Sequence, residues 1–524
     1  MPNQPSPPDE RRPGDGQRAG GHEPTHLDEP GPPLDPVSVP QLPALEDDED
    51  TTDAAAIPTM QLGRGGRSGR GTRAARVDLT TGSVPKKLAN LAWPQVAESV
   101  LNIADQAVDL VWAGRLPAGF RAIAALGVAQ SFIQFGRTTR QGLDMSMQAM
   151  VARAVGARNI PLASHVALHA FTLNAIYSAV MIVIGIFLTD VLLRAIGTSE
   201  AVRSETAMYM RIQFVGMATM SFRMMSGAAL QASGDVMTPL RATTVARIIH
   251  ITLTPFLMFG WWWFPSWGLA GAAVANVLAH SVGGGLNLHA LFRGNSVLHL
   301  SLRDFRLDYR LYGRMVRIGI PASITATERS ASQMVLLAMV MPFGDVAVTA
   351  YSLTRRVEMF TNFGSMGLGR ATGIMVGQNL GASRPDRAKQ AIGWGLLFST
   401  GMKVAIVAPL VFWPAGFVSF FTSEPAVVEL TSSWLRIMAI GLALMGARNV
   451  FQQSFNIAGD TLAPMVVSLI ALWGMEVPLA WLFAYGLSIG PLGIAYAQVI
   501  GFAGRVVFFV PYFFWGRWTR IKVL

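Results

Sequence analysis

Glu98, Asn102, Asp105 and Asp109 stand four, three and four residues apart in an otherwise apolar stretch. At about 100° per residue they fall on one helical stripe roughly 60° wide. A second stretch, Thr243, Arg247, His250 and Thr254, has the same spacing. Carboxylates, a guanidinium and an imidazole placed this way can hold a cation, or take up and release a proton. An ionised side chain among apolar residues is costly unless it meets water or a partner. Carboxylates collected on one stripe therefore point to a polar cavity, with ion pairs that only fix helix packing as the alternative. If the stripes face each other, Arg247 lies at the depth of Asp105, and His250 and Thr254 lie near Asp109. Asp105 is then a fixed anion, and Asp109 is the acid left to exchange a proton or cation. His250 is either its titrating partner or a hydrogen-bonded packing histidine.

The elements that must carry these residues follow from composition. The chain has 524 residues, 51% hydrophobic and 14% charged, with mean hydropathy +0.38. A soluble domain carries about a quarter charged residues, so the deficit points to a polytopic membrane protein. Apolar stretches long enough to span a bilayer as helix lie at 88–113, 120–150, 163–193, 203–232, 240–262, 268–292, 314–341, 345–378, 390–418, 428–457, 463–486 and 490–515. The fold class expected is all-α, with about twelve transmembrane helices. Arg137, Arg140 and Asp144 interrupt the second span, and Arg355, Arg356 and Glu358 the eighth.

Residues 1–80, with "EDDED" and "GRGGRSGRGTR", are expected to be a disordered cytoplasmic tail. A six-helix lobe at 86–293, a cytoplasmic linker at 294–313, a second six-helix lobe at 314–515 and a cytoplasmic terminus at 516–524 complete the division. Lys and Arg collect in alternate loops, from Lys86 and Lys87 to Arg517, Arg520 and Lys522. Those loops should be cytoplasmic, with both termini, in a plasma membrane. "WWWFPSW" (261–267) would sit in the outer interfacial belt. The net charge of +10 is read as this loop bias, so no nucleic-acid partner is expected; the bilayer and a small-molecule substrate are, for a chain acting as a monomer. There is no cysteine, no zinc spacing, no P-loop and no nucleophile elbow. Neither a cofactor nor an enzymatic activity is expected, and a pump of this kind must draw on an ion gradient.

The chain also repeats itself. "RMMSGAALQASGDVMTPL" (223–240) matches "RNVFQQSFNIAGDTLAPM" (448–465) at an offset of 225 residues. The same offset pairs "MVARAVGA" (150–157) with "MVGQNLGA" (375–382), and Gly142 with Gly367. With an even helix number per half, the halves insert in the same direction about an axis along the membrane normal. Transporters so built place substrate between the halves and rock one against the other. The doubled Gly-Asp-x-x-x-Pro reads as a turn: Gly234 and Gly459 end a helix, Pro239 and Pro464 start the next at its first turn, and Asp235 and Asp460 sit near its N-terminus, where they favour the dipole.

Four motifs resemble the MATE family, the multidrug and toxic compound extrusion antiporters: "VDLVWAGRLP" (108–117), "MVGQNLGASRPDRA" (375–388), "GDVMTP" with "GDTLAP", and "GLAGAAVAN" (268–276). The resemblance spans 86–515. It implies a cation-coupled exporter with two lobes around a central cavity, typically for organic cations, and makes Asp109 the acid central to coupling. In the branch that binds Na⁺ in this lobe, the positions of His250, Thr254 and Asn276 hold Asn, Asp and Thr. One carboxylate is lost here and an imidazole gained, which favours H⁺ over Na⁺. Another branch uses an acid near Glu328 with a second where this chain has Met445, so Glu328 is expected to be ion-paired with Arg329 or Arg448. Arg223 and Arg448 could close a gate or cap carbonyls. A lipid-linked oligosaccharide flippase is the competing transporter reading, kept open by Arg137, Arg140, Arg355 and Arg356. A non-transporting scaffold has no need of buried acids.

Overall fold

The computed structural model describes residues 78–116, 119–195, 200–293 and 296–523. Twelve long helices run through them: α1 (Val84–Gly114), α2 (Gly119–Gly156), α3 (Ile160–Phe187), α4 (Glu200–Ala232), α5 (Met237–Phe259), α6 (Leu269–Phe292), α7 (Tyr309–Val340), α8 (Asp345–Gly381), α9 (Pro385–Phe412), α10 (Pro425–Ala458), α11 (Leu462–Gly486) and α12 (Pro491–Trp515). Seven of these, α3, α5, α6, α9, α10, α11 and α12, are apolar enough to cross a membrane by composition alone. The other five, α1, α2, α4, α7 and α8, carry more polar groups, and many of these are buried against neighbouring helices.

The expected spans 163–193 and 390–418 each divide. α3 ends at Phe187 and a short helix, Thr189–Ala195, follows; α9 ends at Phe412 and Pro414–Val418 follows. The two breaks lie one repeat apart. Pro414 occupies the first turn of its helix, where a missing N–H costs nothing. Spans two and eight, interrupted by charge, are continuous helices, because Arg140–Asp144 (2.6 Å) and Arg355–Glu358 pair along their own helices. α11 contains a wide-turn segment, Ile470–Glu476, just before Pro478, whose ring cannot donate to the Gly474 carbonyl.

The doubled Gly-Asp turns form as expected. Gly234 (φ +96°) and Gly459 (φ +95°) turn the chain left-handed. The Asp235 carboxylate accepts from the Thr238 backbone N–H at 3.1 Å, and that of Asp460 from the Ala463 N–H at 3.3 Å. The "GQNLGASRPDRA" motif has a further job. Asn379 Nδ2 donates to the Leu79 carbonyl (3.3 Å), Arg384 to that of Thr80 (2.7 Å) and Arg387 to that of Thr81 (2.9 Å). Asp78, Leu79 and Thr80, assigned to the tail from sequence, are thus held on the second lobe, with Leu79 fully buried. Residues 1–77 lie outside the described residues.

The lobes meet through α1 and α2 of the first and α7 and α8 of the second. Contact is closest on the side where the described chain starts and ends. There a single apolar core includes Leu88, Met150, Ala232, Met315, Ile374 and Phe455 from both lobes. Towards the opposite side each lobe has its own core, around Leu126, Met210 and Leu269 in one and Val340, Trp434 and Ile494 in the other. The structure is therefore sealed on the terminal side and divided on the far side. Glycine makes the seal possible. A Cβ on Gly156 would stand 1.9 Å from the Gln378 carbonyl oxygen, and one on Gly381 would stand 2.1 Å from that of Arg153. Both pairs obey the 225-residue offset. Arg153 Nη2 also donates to the Ala458 carbonyl, and Gln378 Nε2 to the Ala232 carbonyl, each at 2.8 Å across the lobes.

Candidate functional site

α5 packs on α1, and this brings the two polar stripes face to face. Arg247 binds one oxygen of Asp105 through Nη1, and its Nη2 donates to Asn102 Oδ1 at 2.8 Å. His250 Nδ1 lies 2.6 Å from the other Asp105 oxygen, and His250 Nε2 lies 3.3 Å from Asp109 Oδ1. Arg247, His250, Asp105 and Asp109 are all buried, His250 completely. A neutral imidazole offers one donor and one acceptor; only the imidazolium donates from both nitrogens. With a carboxylate at each nitrogen, His250 can satisfy both only when it carries the extra proton. The Asp109 side is the loose one: neither His250 Nε2 nor Asp109 Oδ1 has a hydrogen-bond partner.

Glu98 lies on the same stripe in a separate network. One of its oxygens accepts from Gln231 Nε2 (2.8 Å) and the other from Thr243 Oγ1 (3.1 Å). Arg223 reaches the same hydroxyl through Nη1 (3.1 Å), and its Nε donates to His280 Nδ1 at 2.8 Å. Arg223 thus joins α4 to α5 and α6. Sequence reasoning missed Gln231 and His280. His280 could have been found: it stands four residues beyond Asn276, so it shares that face of α6.

Two expected residues are placed otherwise. The Thr254 hydroxyl donates to the His250 carbonyl at 2.7 Å, along its own helix. Asn276 is buried on α6, and no hydrogen bond among those described joins it to either acid. Nor do the described residues contain a cluster of acids and histidines fit for a metal ion.

The second lobe holds a cavity of about 340 Å³ between α7, α8, α10, α11 and α12. Glu328 lines it, but the expected ion pair to Arg329 or Arg448 is absent among the described residues, and Glu328 Oε1 has no hydrogen-bond partner. Two other arginines of the cavity wall are taken by acids: Glu476 pairs with Arg505 at 3.2 Å and Glu358 with Arg355.

Comparison with known proteins agrees with this architecture. The MatE family profile matches residues 94–256 and again 321–482, one match per lobe and over half the chain. "Probable multidrug resistance protein YoeA" of Bacillus subtilis is 26% identical over 434 residues, covering 82% of this chain and 94% of its own. The "FAD transporter" of Shewanella oneidensis is 24% identical over 410 residues, covering 78% and 90%. A solved structure described as the outward-facing conformation of a multidrug resistance MATE family transporter superposes with a TM-score of 0.77 at 20% identity, covering 86% of this chain and 98% of that one. On the strength of the doubled profile match, the chain belongs to the MatE family and is a MATE transporter, not an enzyme.

Proposed function

We propose that this protein is a proton-coupled antiporter that exports small organic molecules across the plasma membrane by alternating access, acting as a monomer with both termini in the cytoplasm. The observation that carries the reading is His250 set between Asp105 and Asp109, at 2.6 and 3.3 Å. Arg247 fixes Asp105 as an anion on the inner side of the ring. A proton arriving at His250 lets Nε2 donate to Asp109 and close the slack contact, drawing α1 toward α5. Its departure reopens that contact. The two lobe arrangements then differ in proton affinity, which is the condition for coupling. With the terminal side sealed, a site facing the far side would load protons from outside and discharge substrate there. Basic loops on the terminal side support that orientation.

H⁺ is preferred to Na⁺ because Thr254 and Asn276 do not join the acids. The resemblance implies organic cations as substrates. The geometry lends that class little support, because Arg223 and Arg247 stand among the three N-lobe acids and Asp109 faces His250. The relatives' names run from multidrug resistance to FAD, so the reading commits to small organic molecules and not to their charge. A flippase reading loses Arg140 and Arg355, both spent in pairs along their own helices.

The test uses purified protein in liposomes with a fluorescent organic substrate, under a pH gradient and then a Na⁺ gradient at fixed pH. The expected result is transport under the pH gradient alone, lost in Asp109→Asn and in His250→Gln. Transport that follows Na⁺ and survives His250→Gln would overturn the proton reading.

A further inference from the structure

The repeat allows the two lobes to be compared position by position, and one difference stands out. Arg223 and Arg448 are equivalent at the 225-residue offset, and both are buried. Thr243, which accepts from Arg223, is matched at the same offset by Ser468. α6 and α12 begin alike, with Gly268 and Gly490 both at positive φ. Gly271 and Gly493 are then each pressed against the end of the preceding helix. In that register His280 is matched by Phe502. The first lobe therefore gives its arginine an imidazole acceptor 2.8 Å away, and the second gives its arginine a phenyl ring.

Arg448 consequently lacks what Arg223 has. Its Nη2 donates to Asn449 Oδ1 at 2.8 Å, and its guanidinium lies 6.0 Å from the centre of the Phe502 ring. Its Nε is buried without a partner. Ser468, Phe502 and Arg448 all border the cavity of about 340 Å³. Arg329, Arg355, Arg356 and Arg505 stand in the same wall, against Glu328, Glu358 and Glu476. Two of those acids are consumed by Arg355 and Arg505. Exposed Arg356 can be solvated. Arg329 and Arg448 then face one acid, Glu328, and fully buried Lys403 adds a charge behind them, donating to Thr361 at 3.3 Å. An excess of guanidinium in a low-dielectric interior, with a donor left over, is costly unless an anion completes it.

We propose that the C-lobe cavity is a binding site for an organic anion, a phosphate or carboxylate held by Arg448 and Arg329 on an aromatic or apolar body that packs against Phe502, Met359 and Met445. The volume lies within the range of small-molecule pockets. Glu328 sets the sign of the site. Ionised, it opposes the anion; with a proton or as an amide, it can donate to it. As a statement about the exported substrate this rests on the exporter reading above. Binding itself does not need proton coupling or transport.

The experiment measures equilibrium binding of 4-methylumbelliferyl phosphate to the full-length protein in detergent, beside its uncharged parent, ethidium as a cation, and dihexanoyl phosphatidic acid as a lipid headgroup. The expected result is saturable binding of the aryl phosphate, weakened roughly 10- to 100-fold by Arg448→Gln, the loss of a charge-assisted hydrogen bond, and strengthened by Glu328→Gln. Arg329→Gln provides a second test should Arg448→Gln not fold. Ethidium binding that Glu328→Gln weakens would overturn the proposal. So would phosphate binding indifferent to both arginines, binding of the lipid headgroup alone, or binding of neither probe. Failure of pH-driven transport with anion binding intact would instead count against the proton reading only.

Discussion

Replacing Gly156 or Gly381 by alanine should unseal the terminal side. The added methyl at Gly156 would stand 1.9 Å from the Gln378 carbonyl oxygen, and at Gly381 it would stand 2.1 Å from that of Arg153. Carbon and oxygen need somewhat more than 3 Å, so α2 and α8 must part by about an ångström or more, through backbone that cannot swing aside as a side chain does. Overpacking of this kind costs about 1–3 kcal/mol, and it is charged only to the sealed arrangement. The gain in helix propensity, up to ~1 kcal/mol, applies to both arrangements and cancels. The population unsealed should therefore rise roughly 5- to 150-fold. The interlobe bonds from Arg153 to Ala458 and from Gln378 to Ala232 weaken with it. The chain has no cysteine, so one introduced thiol reports without background. Ser233→Cys is nearly isosteric, buried, and adjacent to the Ala232 carbonyl that Gln378 holds. Its rate of labelling by a membrane-impermeant maleimide should rise at least about fivefold in Gly156→Ala and in Gly381→Ala, and further in the double variant. An unchanged rate in folded protein would refute the glycine seam as the closing contact.

Asp235→Ala removes the cap of α5 and should cost about 1 kcal/mol, read as a lower thermal midpoint with transport specificity unchanged. Leu79→Ala should cost about 2–4 kcal/mol, a loss that a residue in a free tail would not produce, and differential scanning fluorimetry measures both. Hydrogen bonds from the Thr80 side chain and backbone hold the Asp78 carboxylate below its usual range. The stability from that turn is present above the ordinary carboxylate pKa and lost as pH falls through the lowered value. Protease sensitivity at the α1 entry should thus stay flat as pH drops past about 4, rise below it, and be high at every pH in Asp78→Ala.

Much of this was legible in the chain. The 4, 3, 4 spacing placed Arg247, His250, Asp105 and Asp109 together because helical periodicity and equal depth suffice to align two helices running the same way. The Gly-Asp turns were legible because a helix-ending glycine and a proline in the next first turn are local signals; that Asp235 and Asp460 accept backbone N–H groups at i+3 came from the structure. The Thr254 hydroxyl's bond was not legible, because a hydroxyl in a helix can turn back to the carbonyl four residues behind it, and spacing does not distinguish that from a hydroxyl turned to the acids. The Glu328 pairing failed for a similar reason. Adjacent Glu and Arg on a helix point about 100° apart, and only the packing of α11 and α12 shows which arginines the other acids have already taken. The hold of Asn379, Arg384 and Arg387 on residues 79–81 joins segments some 300 residues apart, which no local pattern encodes.

The repeat gives the lobes one backbone plan, and the differences within it separate two tasks. In the register that pairs Pro94 of α1 with Pro321 of α7, the second lobe has Ser332 and Leu336 at the positions of Asp105 and Asp109, and at that of His250 it has Met475. It cannot build the imidazole bridge. At the position of His280 it has Phe502, and it leaves an arginine exposed to a cavity. A duplicated transporter that binds the same ligand in both lobes would keep both sets of groups. Here the imidazole bridging Asp105 and Asp109 lies in one lobe, and the unmatched guanidinium lies in the other. Rocking about the glycine seam, which the proposed mechanism requires, would move both at once. Proton occupancy at His250 and ligand occupancy beside Arg448 can therefore compete through the lobe arrangement without touching the same atoms. Competition for a single carboxylate predicts that Asp109→Asn abolishes substrate binding. Coupling through the arrangement predicts that Asp109→Asn leaves binding to the C-lobe cavity intact and removes only its response to pH, a difference that one titration at two pH values separates.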